Sequence, residues 1–328
     1  MSIESRISQV LKQETDRLTA PQELDERVLG AVGPQLAALR EKGNVRAGKR
    51  LFGWKKAAVF ALVFAVLTGF AFGATKLYET EYNGIGVEVF SDSSLKLTRT
   101  SGDEVRQTLQ AVKQQLNPGE YAMVYFDAFT KESSALLREM PGIGVHRPYV
   151  YNGYDAWQQL VQQETGGLSV PASLGDDYGF VSGAEGYAQD GYTTVEGIEL
   201  LDKLKQEARQ SGESIRWEKV ANPTQVLEVY TTFYESDSGE KVYMTVEVLE
   251  PRMKLRMTSI SNETDQLRVG DKEVYYMDSQ HFLSATDRVK DFSWEAGTDE
   301  QPVIVHLASE SLDVTKEQLL SLVRGMLE

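Results

Sequence analysis

One apolar run dominates the pattern of hydrophobic and polar positions: GWKKAAVFALVFAVLTGFAFGATKLY, from Gly53 to Tyr78. No charged side chain occurs between Ala57 and Thr75, and a helix of that length rises about 28 Å, close to the hydrocarbon thickness of a bilayer. The pattern therefore predicts one transmembrane helix over residues 54–78, with lysine and aromatic residues at both ends. Gly69 and Gly73 have a spacing that allows a homodimer contact in a membrane. A cleaved signal peptide and a buried core helix are the alternatives.

Charge is distributed unevenly on the two sides of this run. Residues 1–56 carry eleven basic and seven acidic side chains, which gives a net charge of +4. The rest of the chain carries 23 basic and 42 acidic side chains, a net charge of −19, and the two parts add to the net charge of −15 of the whole chain. The positive-inside rule then places the N-terminus in the cytoplasm and the larger part outside, as a single-pass protein of the cell membrane. Such an acidic exported part is not expected to bind nucleic acid. The chain has no cysteine, so this part must fold without disulfides.

The segment before the run, residues 1–52, has the period of amphipathic helices. The stretch TAPQ has the spacing of a capping box, and the helix that it begins carries the apolar stripe Leu24, Val28 and Val32. A helical arm of this size has too little core of its own, so its stripes must pack on each other, on the bilayer or on a partner protein. We take Leu24, Val28 and Val32 as candidate partner-binding residues. The alternative is a helical hairpin that only anchors the protein.

The pattern of the exported part predicts an α+β fold, in which an antiparallel sheet carries helices on one face. Alternating apolar residues over residues 227–233 and 242–248, with the turn SDSG between them, predict a hairpin. A capping box at TKEQ begins a terminal amphipathic helix that should dock on the sheet. We divide this part into a membrane-proximal α+β segment, residues 79–150, and a C-terminal sheet domain, residues 151–328.

No motif in the sequence predicts an enzyme, a cofactor site or a metal site. The three histidines lie far apart in the sequence and in no ligand or catalytic motif. One enzymatic alternative is a glycoside hydrolase, because a segment rich in glycine and tyrosine also contains acidic residues. A pair of carboxylates beside tyrosine rings could hydrolyse a glycan. The carboxylates concerned belong to Asp176, Asp177 and Glu185.

Three stretches in the last part of the chain are distinctive: GGLSVPASLGDDYGFVSG, VGDKEVYYMDS and the ending FSWEAG…VIVHLASESLDVTKEQLLSLVRGML. They resemble the C-terminal domain of single-pass membrane proteins from spore-forming Gram-positive bacteria, which is known as domain of unknown function 4367. The resemblance covers about residues 155–328. The stretch TAPQELDERVLGAV is similar to the start of these proteins and of membrane-bound anti-sigma factors. That similarity implies a cytoplasmic sigma factor as the partner of the arm.

These observations favour a non-enzymatic membrane protein whose exported domain senses or binds an envelope ligand, while residues 1–52 hold the cytoplasmic partner. A second hypothesis is a cell-envelope binding or carrier module, in which a half-open sheet holds an apolar or glycan ligand and the arm is only an anchor. A third is an envelope hydrolase that uses the carboxylates named above.

Overall fold

The computed structural model describes residues 75–82, 85–91, 96–192, 194–223, 228–249, 254–298 and 300–328. The strands are β1 (Thr75–Tyr82), β2 (Ile85–Ser91), β3 (Tyr121–Phe126), β4 (Gly142–His146), β5 (Val150–Tyr151), β6 (Ser173–Leu174), β7 (Tyr178–Glu185), β8 (Ile215–Lys219), β9 (Glu228–Ser236), β10 (Lys241–Val248), β11 (Lys254–Val269), β12 (Lys272–Gln280), β13 (Arg288–Gly297) and β14 (Pro302–Ser309). The helices are α1 (Gly102–Lys113), α2 (Ala135–Glu139), α3 (Tyr154–Glu164), α4 (Val195–Ser211) and α5 (Lys316–Leu327), with a 3₁₀ turn at Asp127–Lys131.

Eleven strands form one large sheet in the order β1-β2-β11-β12-β13-β14-β10-β9-β7-β5, and β6 pairs with β7. The pairs are antiparallel except that β2 runs parallel to β11, from Gly86 opposite Lys254 to Ser91 opposite Ser259. The predicted hairpin is confirmed as β9 and β10, although residues 224–227 lie outside the described residues. Strand β14 lies between β13 and β10, so two strands that are not consecutive in sequence, β14 and β10, are neighbours at the centre of the sheet.

The main hydrophobic core lies on one face of the large sheet, under α3 and α5. Inward-facing residues alternate along each central strand, as the period of two requires, and they meet the buried side of each helix. Trp157 of α3 is completely buried, and its indole nitrogen donates a hydrogen bond to Thr232 Oγ1 at 2.8 Å. Leu319 and Val323 of α5 are also completely buried.

A smaller sheet, in the order β4-β3-β8, is packed between two helices. All six residues of its central strand β3 are buried, and those from Ala122 to Phe126 alternate between two apolar clusters. Val124 packs in the cluster that α1 joins with Val105, and Tyr125 packs in the cluster that α4 joins with Leu204. The nearly unbroken apolar sequence of β3 follows from this burial on both faces.

The predicted α+β class is wrong. Among the described residues strands predominate over helices, and the large sheet is mixed rather than antiparallel. The transmembrane helix predicted over residues 54–78 is wrong at its C-terminal end, because Thr75–Tyr82 forms strand β1 and pairs with β2. Hydropathy extended the helix too far, since TKLYETEY alternates polar and apolar residues as a strand does. No described helix combines the length and the apolar character that a membrane span needs.

Part of the sequence-based prediction falls outside the described residues. This applies to residues 54–74 and to the arm of residues 1–52, including Leu24, Val28 and Val32. The membrane location and the cytoplasmic N-terminus therefore stay predictions.

Candidate functional site

Helix α5 is fixed at its first turn. Thr315 Oγ1 accepts a hydrogen bond from the Gln318 amide at 3.2 Å, and the Gln318 side-chain oxygen accepts one from the Thr315 amide at 2.7 Å. This reciprocal pair is the capping box that the sequence predicted. Since Leu319 and Val323 are buried in the core of the sheet, the predicted docking of the terminal helix is also confirmed.

Beyond that anchored first half, an open cleft of about 390 Å³ lies between α5, the sheet and residues 168–175. Its floor contains Met244 of β10, Val305 of β14 and Trp294 of β13, and none of the three is more than 4% exposed. Trp294 lies directly opposite Val305 in the β13–β14 register, so the floor continues from strand to strand. We call this space the α5 cleft.

The cleft stays open because small residues occupy positions where larger ones would fill it. Ala296 of β13 lines it beside Trp294, and Gly325 lines it from α5. A Cβ atom at Gly325 would meet nothing within 4 Å. Gly175 lines the third wall with a φ of +59°, a conformation that favours glycine, and a Cβ there would stand 3.4 Å from Leu322 Cδ2.

The remaining lining of the α5 cleft is mostly apolar. Leu322, Met326 and Leu327 extend along α5, and Leu168, Pro171 and Leu174 extend along the segment opposite. The polar groups are Ser169, Ser173 and Lys272. Clefts that bind small molecules measure roughly 300–1,000 Å³ and combine an apolar lining with a few polar groups. The α5 cleft falls at the lower end of that range.

A second and much smaller pocket, of about 30 Å³, lies between the small sheet and residues 185–192. On one side the ring of Tyr121 stacks on His146 with 3.9 Å between the ring centres. Burial, and then the charge of Lys113, lowers the pKa of His146 to about 4. Asp190 also lines the pocket and forms an ion pair with Lys113 at 2.9 Å. A space of this size holds little more than water.

A buried polar cluster lies on the face of the large sheet opposite the main core. His306 Nδ1 lies 2.9 Å from Asp291 Oδ2, and His306 Nε2 lies 3.8 Å from Glu247 Oε1. Burial lowers the pKa of His306, but the charge and hydrogen bond of Asp291 and then the charge of Glu247 outweigh burial and raise it to about 9. Burial, and then the charge of Glu247, holds the pKa of Tyr187 well above its usual range. His306 is therefore a charged residue at neutral pH between two carboxylates.

The carboxylates of the hydrolase hypothesis do not come together. Asp176 and Asp177 are exposed in the turn between β6 and β7, whereas Glu185 is the last residue of β7 and accepts a hydrogen bond from Tyr151 Oη at 2.5 Å. At about 3.3 Å per residue, the strand separates Asp177 from Glu185 by about 25 Å. Paired glycosidase carboxylates lie about 5–10 Å apart. This pair therefore cannot carry out that reaction.

Sequence reasoning did not find the α5 cleft or the His306 cluster. The only signals were indirect: Trp294 and Ala296 alternate on one side of FSWEAG, and His306 interrupts the apolar run VIVHLA. In both cases the partners come from strands or loops remote in the sequence. Neither signal states which residues will be neighbours in the sheet.

Within the described ranges, no group of three or more histidine, aspartate or glutamate residues is placed to hold a metal ion. Comparison with known protein families, curated proteins and solved structures finds no match to this chain. The resemblance to domain of unknown function 4367 therefore stays a prediction.

Proposed function

We propose that residues 75–328 form a non-enzymatic binding domain that holds an apolar ligand in the α5 cleft, as a cell-envelope binding or carrier module would. The observation that carries this proposal is the cleft itself: about 390 Å³ of open space over a floor of Trp294, Met244 and Val305. Clefts that bind small molecules begin at roughly 300 Å³ and have a mostly apolar lining with a few polar groups, and the α5 cleft fits both criteria. An alkyl chain placed there would remove apolar surface of both partners from water, at about 25 cal/mol per Å².

The walls of the cleft also suit a binding role. The sheet side is rigid because β13 and β14 pair with strands on both sides. The helix side is anchored by the capping box at Thr315, while its second half carries Gly325 and the partly buried Leu322 and Met326. A ligand would thus meet a fixed floor and a helix that is less tightly packed at the mouth.

The proposal is tested by filling the cleft from each wall in turn. Equilibrium dialysis of decanol against the full chain should show one molecule bound per chain. Ala296→Phe from the sheet and Gly325→Leu from the helix should each reduce the affinity at least tenfold, because the new side chain takes the place of the alkyl chain. Leu312→Phe is the matched control, since Leu312 is 61% exposed and does not line the cleft.

Urea midpoints establish that each variant is folded. Decanol binding that persists unchanged in both folded cleft-filling variants would show that the ligand is held elsewhere. No binding to the parent chain would also refute the proposal.

The regulatory part of the sequence-based hypothesis is separate from this proposal. A sigma factor held by Leu24, Val28 and Val32 stays a prediction, because these residues lie outside the described residues. A binding domain for an envelope ligand is compatible with such an arm and does not require it.

A further inference from the structure

One charged residue lines the α5 cleft within the described part of the chain: Lys272. It is the first residue of β12 and is half-buried. Alternate residues of a strand face the same side, so Lys272 shares the face of Val274 and Tyr276, which belong to the main core. The whole chain has a net charge of −15, so a lone cation on an apolar cleft does not follow from composition.

The Lys272 ammonium group makes no ion pair or side-chain hydrogen bond with any residue that the structure describes. Other lysines on this side of the sheet are paired. Lys316 lies 2.7 Å from Glu263 and 3.1 Å from Asp265. Lys290 donates to the backbone carbonyl oxygens of Ser311 and Leu312, in the segment before α5. Lys272 is thus a positive charge at the cleft that no protein group neutralises among the described residues.

Two hydroxyl groups also line the cleft. Ser169 and Ser173 line the cleft from the segment that faces α5. Ser169 Oγ accepts a hydrogen bond from Gln158 Nε2 at 2.9 Å, so its own hydroxyl hydrogen remains available to an acceptor. Ser173 is exposed. A lysine and serine donors together suit an oxygen-bearing anion.

We propose that the α5 cleft selects a single-chain amphiphile with an anionic head group, with the alkyl chain over Trp294 and the anion at Lys272. This inference rests on the proposed function and names its ligand class. The volume of the cleft equals that of about thirteen water molecules in the liquid, which is enough for one alkyl chain. An anion there would gain a charge-assisted hydrogen bond in a site partly shielded from water.

The test compares three ligands with the same alkyl chain and different head groups: decanoate, decanol and decylammonium. Each is dialysed to equilibrium against the full chain near neutral pH, without detergent. The parent chain should bind decanoate about tenfold more tightly than decanol, and decylammonium least tightly. Lys272→Gln should bring the ratio of the decanoate and decanol affinities close to one, and Lys272→Glu should reverse the order of decanoate and decylammonium. Lys241→Gln is the matched control, because the Lys241 side chain is 75% exposed and does not line the cleft.

The outcomes separate the two proposals. If the parent chain binds all three ligands equally, or if Lys272→Gln keeps the preference for decanoate, the assignment of Lys272 is wrong while an apolar binding site remains. If the parent chain binds none of the three ligands, the proposed function itself fails. If Lys241→Gln abolishes the preference as fully as Lys272→Gln does, the selectivity comes from net charge and the assignment is overturned.

Discussion

The packing of α3 against β7 gives the sharpest prediction for the fold that supports the cleft. Gly183 of β7 lies opposite Thr232 of β9. A Cβ atom at Gly183 would lie less than 3.0 Å from three atoms of the Trp157 indole ring, closer than real Cβ contacts come. Trp157 is completely buried and therefore cannot move aside without disturbing the core. Gly183→Ala should therefore be destabilising although alanine normally favours a strand more than glycine does.

Two costs set the expected magnitude. Overpacking a close-packed core costs about 1–3 kcal/mol. If the indole ring shifts to relieve the contact, the hydrogen bond from its nitrogen to Thr232 Oγ1 is lost, and buried groups left without partners cost about 1–3 kcal/mol more. The free energy of unfolding should thus fall by about 2–6 kcal/mol when both costs apply, which lowers the melting temperature by several degrees.

Urea unfolding of the full chain, followed by tryptophan fluorescence, measures this change. Gly179→Ala is the matched control on the same strand, because a Cβ atom there meets nothing within 4 Å, and its stability should stay within about 0.5 kcal/mol of the parent. In a Trp157→Phe background Gly183→Ala should cost less, since the smaller ring leaves room. Equal midpoints for the two alanine variants would refute the packing argument.

Two further predictions concern the cap of α5 and the buried histidine. Thr315→Ala should lower the free energy of unfolding by about 0.5–2 kcal/mol, because the Gln318 amide loses its acceptor. Thr315→Ser keeps a hydroxyl acceptor and should retain most of the stability. Identical urea midpoints for the two variants would contradict the role of the cap. The raised pKa of His306 means that protonation stabilises the folded state fully below about 6.5 and that this contribution is lost as the pH rises through about 9. The urea midpoint should therefore fall between about pH 6.5 and pH 9 in the parent chain and fall less in Asp291→Asn. Parallel pH profiles of the two proteins would show that the His306–Asp291 pair does not control the pH dependence of stability.

Local patterns predicted those parts of the fold that depend on neighbouring residues. The β9–β10 hairpin follows from a period of two and a glycine turn, and the capping box of α5 follows from the spacing of Thr315 and Gln318. The fold class was wrong because its decisive features are not local. The parallel pairing of β2 with β11 joins strands more than 160 residues apart in the sequence, and hydropathy alone could not show that a strand begins at Thr75.

The candidate site was still harder to predict, because the α5 cleft exists where small residues leave space unfilled. Ala296, Gly325 and Gly175 come from a strand, a helix and a loop, and only the folded chain brings their small side chains around one space. The His306 cluster has a similar cause. Its members are brought together by the order β10-β14-β13, in which the last strand of the sheet lies between two earlier ones.

The same three central strands carry both features, on opposite faces. Along β14, Val305 faces the cleft and His306 faces the polar cluster, and along β13, Trp294 faces the cleft while Asp291 faces His306. These strands are held by pairing on both edges, by the core on one side and by charged contacts on the other. The floor of the cleft therefore has little freedom to adapt to a ligand. The wall opposite the floor is different, since α5 is fixed at Thr315, Leu319 and Val323 and carries Gly325 in its second half. We expect ligands of different size to be accommodated on the helix side, while the sheet keeps its shape.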